Sequence, residues 1–250
     1  MTATLTAPPG LTSPLPDSTS ALQDSLEVME SMYLYNHWIF ANIRPFLGEK
    51  ILEVGSGTGN ITSFLLCYPR VVALEPDLIS ARKAARRFYN HHNVQVIPET
   101  LEDYTQQASN GASFDTVICL NVLEHIEDDV YALCCMREHL AADGKVVILV
   151  PALGALYGAL DRSLGHYRRY NKRHLRRKFH QADLQIIKSY YMNLPGVLGW
   201  FLHSRILHRV GLAPRSARKF EKAVPYIMAA ESAFKPPLGQ SLVMVGRAKN

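Results

Sequence analysis

The sequence lacks the long apolar run that a membrane-spanning helix requires. Such a helix needs roughly 18 or more consecutive apolar residues, and no window of the 250 residues approaches that length. The first 20 residues also lack a basic start and a continuous apolar segment, so we expect neither a signal peptide nor a membrane anchor. Their Pro, Ser and Thr content instead predicts a flexible tail. From these absences we expect a soluble, cytoplasmic protein.

Cysteine is scarce too, and its spacing argues against metal and disulfide chemistry. The four cysteines, Cys67, Cys119, Cys134 and Cys135, form no CxxC pair and have no histidine at a spacing suited to zinc. Cys119 lies inside an apolar, strand-like run. We therefore expect reduced thiols packed in the core, and no metal site.

The net charge of +5 hides an uneven distribution along the chain. Up to residue 150 the chain carries 9 Lys and Arg against 18 Asp and Glu, and from residue 151 it carries 18 against 4. Such asymmetry suggests that the basic part meets an anionic partner. No zinc-finger, RNP or helix-turn-helix pattern accompanies the basic residues, which argues against sequence-specific nucleic-acid binding. Contact with a membrane surface stays open.

Short apolar runs alternate with helical patterns along most of the chain. Near-continuous apolar strands separated by helices are typical of a parallel sheet that is covered on both faces, which predicts an α/β fold. Ligands of such sheets bind beyond the carboxyl ends of the strands. The predicted strands lie at 51–54, 71–74, 94–97, 114–120, 145–150 and 184–190.

The first strand runs directly into three glycines at alternate positions, Gly55, Gly57 and Gly59. Glycine accepts φ > 0 and has no Cβ, so the backbone can approach a ligand closely. A helix predicted to follow, up to about Cys67, would offer unpaired N–H groups at its start. The turn therefore predicts a site for a nucleotide-like cofactor.

An acid follows the second strand at Glu75, 20 residues after Gly55. A dinucleotide-type fold places a carboxylate at this offset, because its two acceptor oxygens suit the two ribose hydroxyls. The cap of the next helix, at 78–89, is better supplied by Asp77. We therefore predict that Glu75 binds a ribose and that Asp77 caps the helix.

Four segments together resemble the class I S-adenosylmethionine-dependent methyltransferases, of the type 11/12-like, ubiquinone-methyltransferase-like subgroup. They are ILEVGSGTGN, VVALEPD, FDTVICLNVLEHI and DGKVVILVP, in that order. The glycines follow GxGxG, whereas the dinucleotide fingerprint is GxGxxG, and this favours the methyltransferase interpretation. The resemblance covers residues 35–192 and a closing strand. It implies a Rossmann-like, doubly wound sheet of seven strands, mostly parallel with an antiparallel last strand, and a helical cap.

The resemblance also implies that S-adenosylmethionine is the cofactor, and it implies which residues contact each part of the cofactor. The methionine part would lie against Glu53 and the turn, including Ser56 and the three glycines. The ribose would lie against Glu75, and the sulfonium end beside Asn121. The adenine would be held by residues after the third strand, namely Thr100, Leu101 and Glu102.

Methyl transfer to an oxygen or nitrogen requires a base where the acceptor must lose a proton. His125 and His166 are the candidates, because histidine titrates near neutral pH. Tyr35 and His37, on the first helix, either pack against the core or cover a ligand. A polar and aromatic segment beyond the fifth strand should bind the acceptor, a small or lipid-linked molecule that could be anionic; it contributes Asp161, Tyr167, Arg168 and Tyr170.

We expect a tail at 1–20 and one methyltransferase domain at 21–250, with an N-terminal helix at 21–44 and a helical cap insertion at 195–238. Two other classes of protein stay open at this point. A nicotinamide-dependent oxidoreductase could use the same turn and acid. A non-catalytic adaptor for a membrane surface or nucleic acid could use the basic part.

Overall fold

A sheet of seven strands forms the centre of the computed structural model, which describes residues 32–107, 113–201 and 214–249. The strands are β1 (Lys50–Val54), β2 (Arg70–Leu74), β3 (Val94–Ile97), β4 (Phe114–Leu120), β5 (Leu140–Pro151), β6 (Leu184–Met192) and β7 (Ser241–Ala248). Their order is β3-β2-β1-β4-β5-β7-β6. Strands β1 to β5 pair in parallel, and β7 runs antiparallel to β5 and β6. The predicted α/β fold with an antiparallel last strand is confirmed.

Side chains along each strand alternate between two apolar layers, as the two-residue period of a strand requires. In β5, Val146 and Ile148 lie in one layer, and Val147 and Leu149 lie in the other; all four are fully buried. A strand that is buried on both faces is recognisable as a continuous apolar run. The predicted bounds of β3 and β4 therefore agree with the structure at both ends.

Helices cover both faces of the sheet. In the described residues they are α1 (Tyr33–Ile43), α2 (Leu78–Arg87), α3 (Leu101–Gln107), α4 (Asp129–Glu138), α5 (Ala159–Ser163), α6 (Lys172–Gln181), α7 (Leu194–Trp200) and α8 (Pro214–Ala233). The tail at 1–20, the helix expected before residue 32 and part of the expected cap, 202–213, lie outside the described residues. None of the helices in the described ranges is long and apolar enough to cross a membrane.

The helix predicted after the glycine turn is a single 3-10 turn, Thr62–Phe64. The hydroxyl of Thr62 donates to Glu53 Oε2 (2.7 Å), and that of Ser63 donates to the carbonyl of Asn60 (2.7 Å). Such local side-chain hydrogen bonds compete with the backbone bonds of a helix. The prediction of a full helix at this position is wrong.

A 3-10 turn separates β4 from helix α4. A 3-10 turn, Leu123–His125, comes first, and α4 starts after Asp128, whose side chain accepts a hydrogen bond from Tyr131 N (3.0 Å). An aspartate cap of this kind defines a new helix start. This arrangement leaves Glu124 and His125 on a turn beyond the carboxyl end of β4.

All four cysteines lie in the described residues and are free thiols. Cys119 and Cys135 are buried, as predicted, and Cys134 is partly buried. Cys67 is exposed, because the chain there runs in turns rather than in a packed helix. The prediction of a core thiol is wrong at that position.

A buried carboxylate at the start of α4 joins this helix to α6. Asp129, 1% exposed, accepts hydrogen bonds from Lys178 Nζ (2.7 Å), Arg168 Nη1 (2.9 Å) and the Tyr170 hydroxyl (2.9 Å). Burial by itself raises the pKa of Asp129, but the three donors outweigh burial and the net shift is downward. The ionised carboxylate therefore stabilises the packing of α4 on α6.

Asp129→Asn should lower the free energy of unfolding by about 1–3 kcal/mol at neutral pH, because the amide loses the charge that pairs with Lys178 and Arg168. A carboxyl whose pKa is lowered on folding stabilises above its unfolded value of about 3.9, and that contribution is lost as pH falls. The difference between wild type and variant should therefore shrink below about pH 4, as measured by urea titrations. Glu138→Gln, at an exposed site on α4, is the control; a constant difference down to about pH 3 would contradict the assignment.

Candidate active site

The glycine turn after β1 brings the backbone close to two neighbouring side chains. Gly55 has a φ of +71°, and a Cβ on it would lie 2.4 Å from Val122. Gly59 has a φ of +87°, and a Cβ there would lie 2.3 Å from the ring of Phe88. A positive φ combined with such close contact requires glycine. The turn is therefore a tight cradle whose backbone can approach a ligand.

Two buried carboxylates flank this turn. Glu75, after β2, accepts hydrogen bonds from the backbone N–H groups of Gly57 (2.7 Å) and Asp77 (2.9 Å). Burial raises the pKa of Glu53 to about 7, although its hydrogen bond from Thr62 acts in the opposite direction. Burial also raises the pKa of Glu75. Both groups therefore favour a ligand that brings hydrogen-bond donors or positive charge.

Two hydroxyls of the turn have no partner in the described structure. Ser56 Oγ and Thr58 Oγ1 are buried and form no hydrogen bond. Buried polar atoms without partners are rare in native proteins. They fit a ligand with several polar groups, as the methionine part of S-adenosylmethionine has.

The residues predicted for the adenine and sulfonium ends lie beyond the carboxyl ends of β3 and β4, on the same edge of the sheet as the turn. Thr100 caps α3 by accepting a hydrogen bond from Asp103 N (3.1 Å). Leu101 is buried and Glu102 is partly exposed. Asn121 adopts a left-handed φ of 55°. Their contacts with a cofactor stay predictions.

The two candidate histidines are brought into contact. The rings of His125 and His166 meet edge to face with centroids 4.7 Å apart. Burial and the neighbouring His166 lower the pKa of His125 to about 4, so His125 is neutral at physiological pH. One side-chain atom from each histidine and one from Glu124 lie within 4.8 Å of one another. That spacing would also suit three ligands of one cation, so the expected absence of a metal stays a prediction.

Asp161 is fully buried and positions His166. Its Oδ1 accepts hydrogen bonds from His166 Nδ1 (3.0 Å) and Arg169 Nε (2.7 Å), and its Oδ2 accepts one from Gly158 N (2.9 Å). Burial by itself raises the pKa of Asp161, but the hydrogen bond from His166 and the charge of Arg169 lower it overall. Asp161 therefore stays ionised and orients the imidazole of His166.

The side chains of the other candidates beyond β5 either have other partners or are exposed. Tyr170 is fully buried, with its hydroxyl 2.9 Å from Asp129. Arg168 pairs with the same Asp129 and donates to the carbonyls of residues 126 and 127 (3.2 and 2.8 Å). Tyr167 is 53% exposed. The polar groups of Arg168 and Tyr170 already have partners, which suits them to structural roles.

Tyr35 and His37 lie on α1 in different surroundings. Burial raises the pKa of Tyr35, and its hydroxyl has the side chains of Ser241 and Asn193 as hydrogen-bonding neighbours. Because β7 is antiparallel, Ser241 begins it at the edge where the parallel strands end. His37 is exposed, and its ring centroid lies 5.9 Å from that of Phe64. Tyr35 therefore reaches the edge of the sheet that holds the candidate site.

Glu124 and Arg169, which the sequence analysis missed, lie at the centre of this cluster. Glu124 is 1% exposed, and burial raises its pKa to about 8, although a backbone hydrogen bond and the charge of Arg169 act in the opposite direction. Arg169 is 5% exposed and donates from Nη1 to Ala152 O (3.0 Å). In the sequence it is one of seven basic residues over 168–178, and no local signal separates this buried arginine from the other six, which are exposed or partly exposed.

Residues 34–189, more than half of the chain, match the methyltransferase domain family. The chain belongs to this family. It is a class I S-adenosylmethionine-dependent methyltransferase, and S-adenosylmethionine is its cofactor. Membership of this family excludes the two alternatives, an oxidoreductase and a non-catalytic adaptor. The glycine turn, the carboxyls of Glu53 and Glu75, and the unpaired hydroxyls of the turn fit S-adenosylmethionine.

Two curated relatives of this methyltransferase are ubiquinone biosynthesis O-methyltransferases. The protein of Haemophilus ducreyi is 26% identical over 117 residues, which are 45% of this chain and 49% of that protein. The protein of Pasteurella multocida is 28% identical over 111 residues, 40% of this chain and 45% of that protein. The methyltransferase thus matches about half the length of these relatives.

Solved structures resemble the methyltransferase over most of its length. A putative methyltransferase of Haloferax volcanii, solved in complex with a methyltransferase activator, has a TM-score of 0.64 and 15% identity, covering 93% of this chain and 95% of that chain. A possible histamine N-methyltransferase of Thermotoga maritima has a TM-score of 0.60 and 16% identity, covering 93% and 100%. At these identities the likeness shows the fold alone.

Glu75→Ala should weaken the binding of S-adenosylmethionine by about tenfold or more, because it removes the carboxylate expected to accept both ribose hydroxyls. Isothermal titration calorimetry measures this affinity directly. Glu138→Ala is the control, because it makes the same substitution at an exposed site on α4; it should leave the affinity for S-adenosylmethionine unchanged. Equal affinities for Glu75→Ala and the wild type would contradict the ribose assignment.

Gly59→Ala should destabilise the fold by about 1–3 kcal/mol and weaken cofactor binding, because alanine must take a positive φ and its Cβ meets the ring of Phe88. Gly154→Ala is the control, since a Cβ there meets no atom within 4 Å. Chemical denaturation and calorimetry report the two effects. Wild-type stability in Gly59→Ala would show that the turn tolerates a side chain.

Proposed function

We propose that this methyltransferase transfers the methyl group of S-adenosylmethionine to an oxygen or nitrogen of a small or lipid-linked acceptor, with His166 as the general base. When bound, the cofactor supplies an electrophilic methyl group on a positively charged sulfur. Much of the rate enhancement then comes from orientation, since correct placement of two reacting groups removes several kcal/mol of barrier. The acceptor would lie on the cofactor side of the paired histidines.

The hydrogen bond between Asp161 and His166 is the observation that supports His166 as the general base. Because the ionised Asp161 is 3.0 Å from Nδ1 of His166, that nitrogen holds the hydrogen and donates it. The other ring nitrogen, Nε2, is then unprotonated in the neutral ring and can accept a proton from the acceptor. A carboxylate that fixes the tautomer and stabilises the protonated ring has the same role in hydrolytic triads.

His125 supports this arrangement without taking the proton itself. Its pKa of about 4 makes it a weak base, and its neutral ring packs edge to face on His166. The contact restricts the orientation of His166. It also excludes water from one side of the ring, which strengthens the electrostatic effect of Asp161.

The region expected to cover the acceptor is joined to the domain by two glutamates of α8. Glu221 accepts hydrogen bonds from the backbone N–H groups of Leu34 and Tyr35 on α1. Glu231 accepts from the N–H groups of Asn193 (3.0 Å) and Leu194 (2.8 Å) at the start of α7. These contacts support the proposal that α1, α7 and α8 form one cover over the carboxyl edge of the sheet.

The exposed face of α6 supports a further part of the proposal, contact with an anionic membrane surface. Arg173, Arg176 and Arg177 are exposed, whereas Leu175 and Phe179 are buried. An acceptor carried on a lipid would be presented at such a surface.

His166→Gln should lower the rate of methyl transfer by about 10²–10⁴-fold, because the base is lost. The affinity for S-adenosylmethionine should stay within about twofold. The assay follows S-adenosylhomocysteine formation with a panel of small phenols and amines, and calorimetry follows the cofactor. His92→Gln, at an exposed site, is the control. A full rate in His166→Gln, with any acceptor that the wild type uses, would refute the role of base.

A further inference from the structure

Three buried polar atoms near the histidine pair have no hydrogen-bond partner in the described part of the chain. They are Glu124 Oε2, Arg169 Nη2 and Trp200 Nε1. The first two belong to side chains that are among the least exposed charged groups of the protein, at 1% and 5% exposure. Leaving a buried charged group unsatisfied is costly, so each such atom needs an explanation.

The three side chains belong to one neighbourhood. The guanidinium carbon of Arg169 lies over the indole of Trp200, 4.4 Å from its centroid. The carboxyl of Glu124 and the guanidinium of Arg169 interact electrostatically. Arg169 also shares Asp161 with His166, and Glu124 lies within 4.8 Å of both histidines. The unpaired atoms therefore lie beside the proposed base, at the edge of the sheet where the acceptor is expected.

The charges of this neighbourhood favour a neutral ligand. The positive charge of Arg169 is already balanced by Asp161, whose Oδ1 lies 2.7 Å from its Nε. An anion bound here would be buried without a counter-ion of its own and, above about pH 8, would face the ionised carboxylate of Glu124, which is unfavourable. Arg168, which was expected to bind the acceptor, pairs with Asp129 instead.

The donors and acceptors of the three unpaired atoms match those of a hydroxyl group. When Glu124 is ionised, the unpaired set offers two N–H donors, from Arg169 and Trp200, and one carboxylate acceptor, from Glu124. A hydroxyl group has one O–H to donate and two lone pairs that accept. We propose that Glu124, Arg169 and Trp200 form a subsite that binds a neutral hydroxyl group of the acceptor. This rests on the proposed function, and it names the chemical class that the site selects.

The hydrogen bond to Glu124 also predicts how binding depends on pH. A neutral hydroxyl donates to the ionised carboxylate, and burial raises the pKa of Glu124 to about 8. Binding of a hydroxyl should therefore tighten as pH rises through about 8, whereas binding of a carboxylate would weaken over the same interval. The charged or titratable groups near this carboxyl are Tyr35, Cys119, His125, Asp161, His166 and Arg169.

The test compares three probes that share one ring and differ in one group. Phenol carries a hydroxyl, anisole an oxygen without a hydrogen, and benzoate an anion. Their dissociation constants are measured by saturation-transfer difference NMR on the full chain loaded with S-adenosylhomocysteine, at pH values on either side of 8. Above pH 8 we expect phenol to bind about fivefold or more tightly than the other two, and we expect its affinity to rise with pH.

Two substitutions locate the effect. Trp200→Phe removes one donor and keeps an aromatic ring under Arg169, and Glu124→Leu removes the acceptor. Each should reduce the preference for phenol over anisole while leaving the affinity for S-adenosylmethionine unchanged. Tyr89→Phe, at a side chain that is 83% exposed, is the control. Should Glu124→Leu fail to fold, Trp200→Phe and the probe comparison decide the outcome.

Equal binding of phenol and anisole, a preference for benzoate, or an unchanged preference in Trp200→Phe would overturn the subsite. Absence of phenol binding, with cofactor affinity retained, would mean that the three atoms hold a trapped water only, and would overturn it too. In those cases the proposed methyl transfer would stand, because its own test uses His166→Gln. Loss of rate in His166→Gln together with a preserved phenol preference supports both proposals independently.

Discussion

The parallel pairing of β1 to β5 is the constraint on which the candidate site depends. Parallel strands end at one edge of the sheet, so the residues that follow them meet there although they are far apart in the chain. The glycine turn follows β1, Glu75 follows β2, and Glu124 and His125 follow β4. The antiparallel β7 begins at the same edge with Ser241. The residues that we propose for the cofactor and for the acceptor are thereby placed at one edge, although they come from separate segments of the chain.

Burial at that edge then sets the chemistry of each group. Glu53 and Glu124 have pKa values raised to about 7 and about 8, because the folded chain removes water from both carboxyls. Asp161 is also buried, yet its hydrogen bonds from His166 and Arg169 keep it ionised. The carboxyls therefore differ in charge state although their chemistry is similar. Asp161 stays ionised, whereas the nearby Glu124 can gain or lose a proton near pH 8.

The strands were predictable from the chain because burial on both faces leaves continuous apolar runs. The ends of helices were less so. The turn at Thr62 and the start of α4 after Asp128 depend on hydroxyl and carboxylate side chains that bond to their own backbone or to a neighbouring strand. Cys67 was misplaced for the same reason, since its burial was inferred from a helix that does not form there.

The local pattern of the sequence predicts which residues bind the cofactor. The spacing of Gly55, Gly57 and Gly59 and the offset of Glu75 are properties of consecutive residues, because a turn and a strand end are short-range structures. The residues that we propose for the acceptor are brought together only by the tertiary structure. Arg168 meets Asp129, and Arg169 is buried near Glu124, because α4 and the turn after β4 pack against a segment some 40 residues later in the chain. The Arg168–Asp129 pair and the contact of Arg169 with Glu124 arise from such long-range contacts, and no local pattern encodes them.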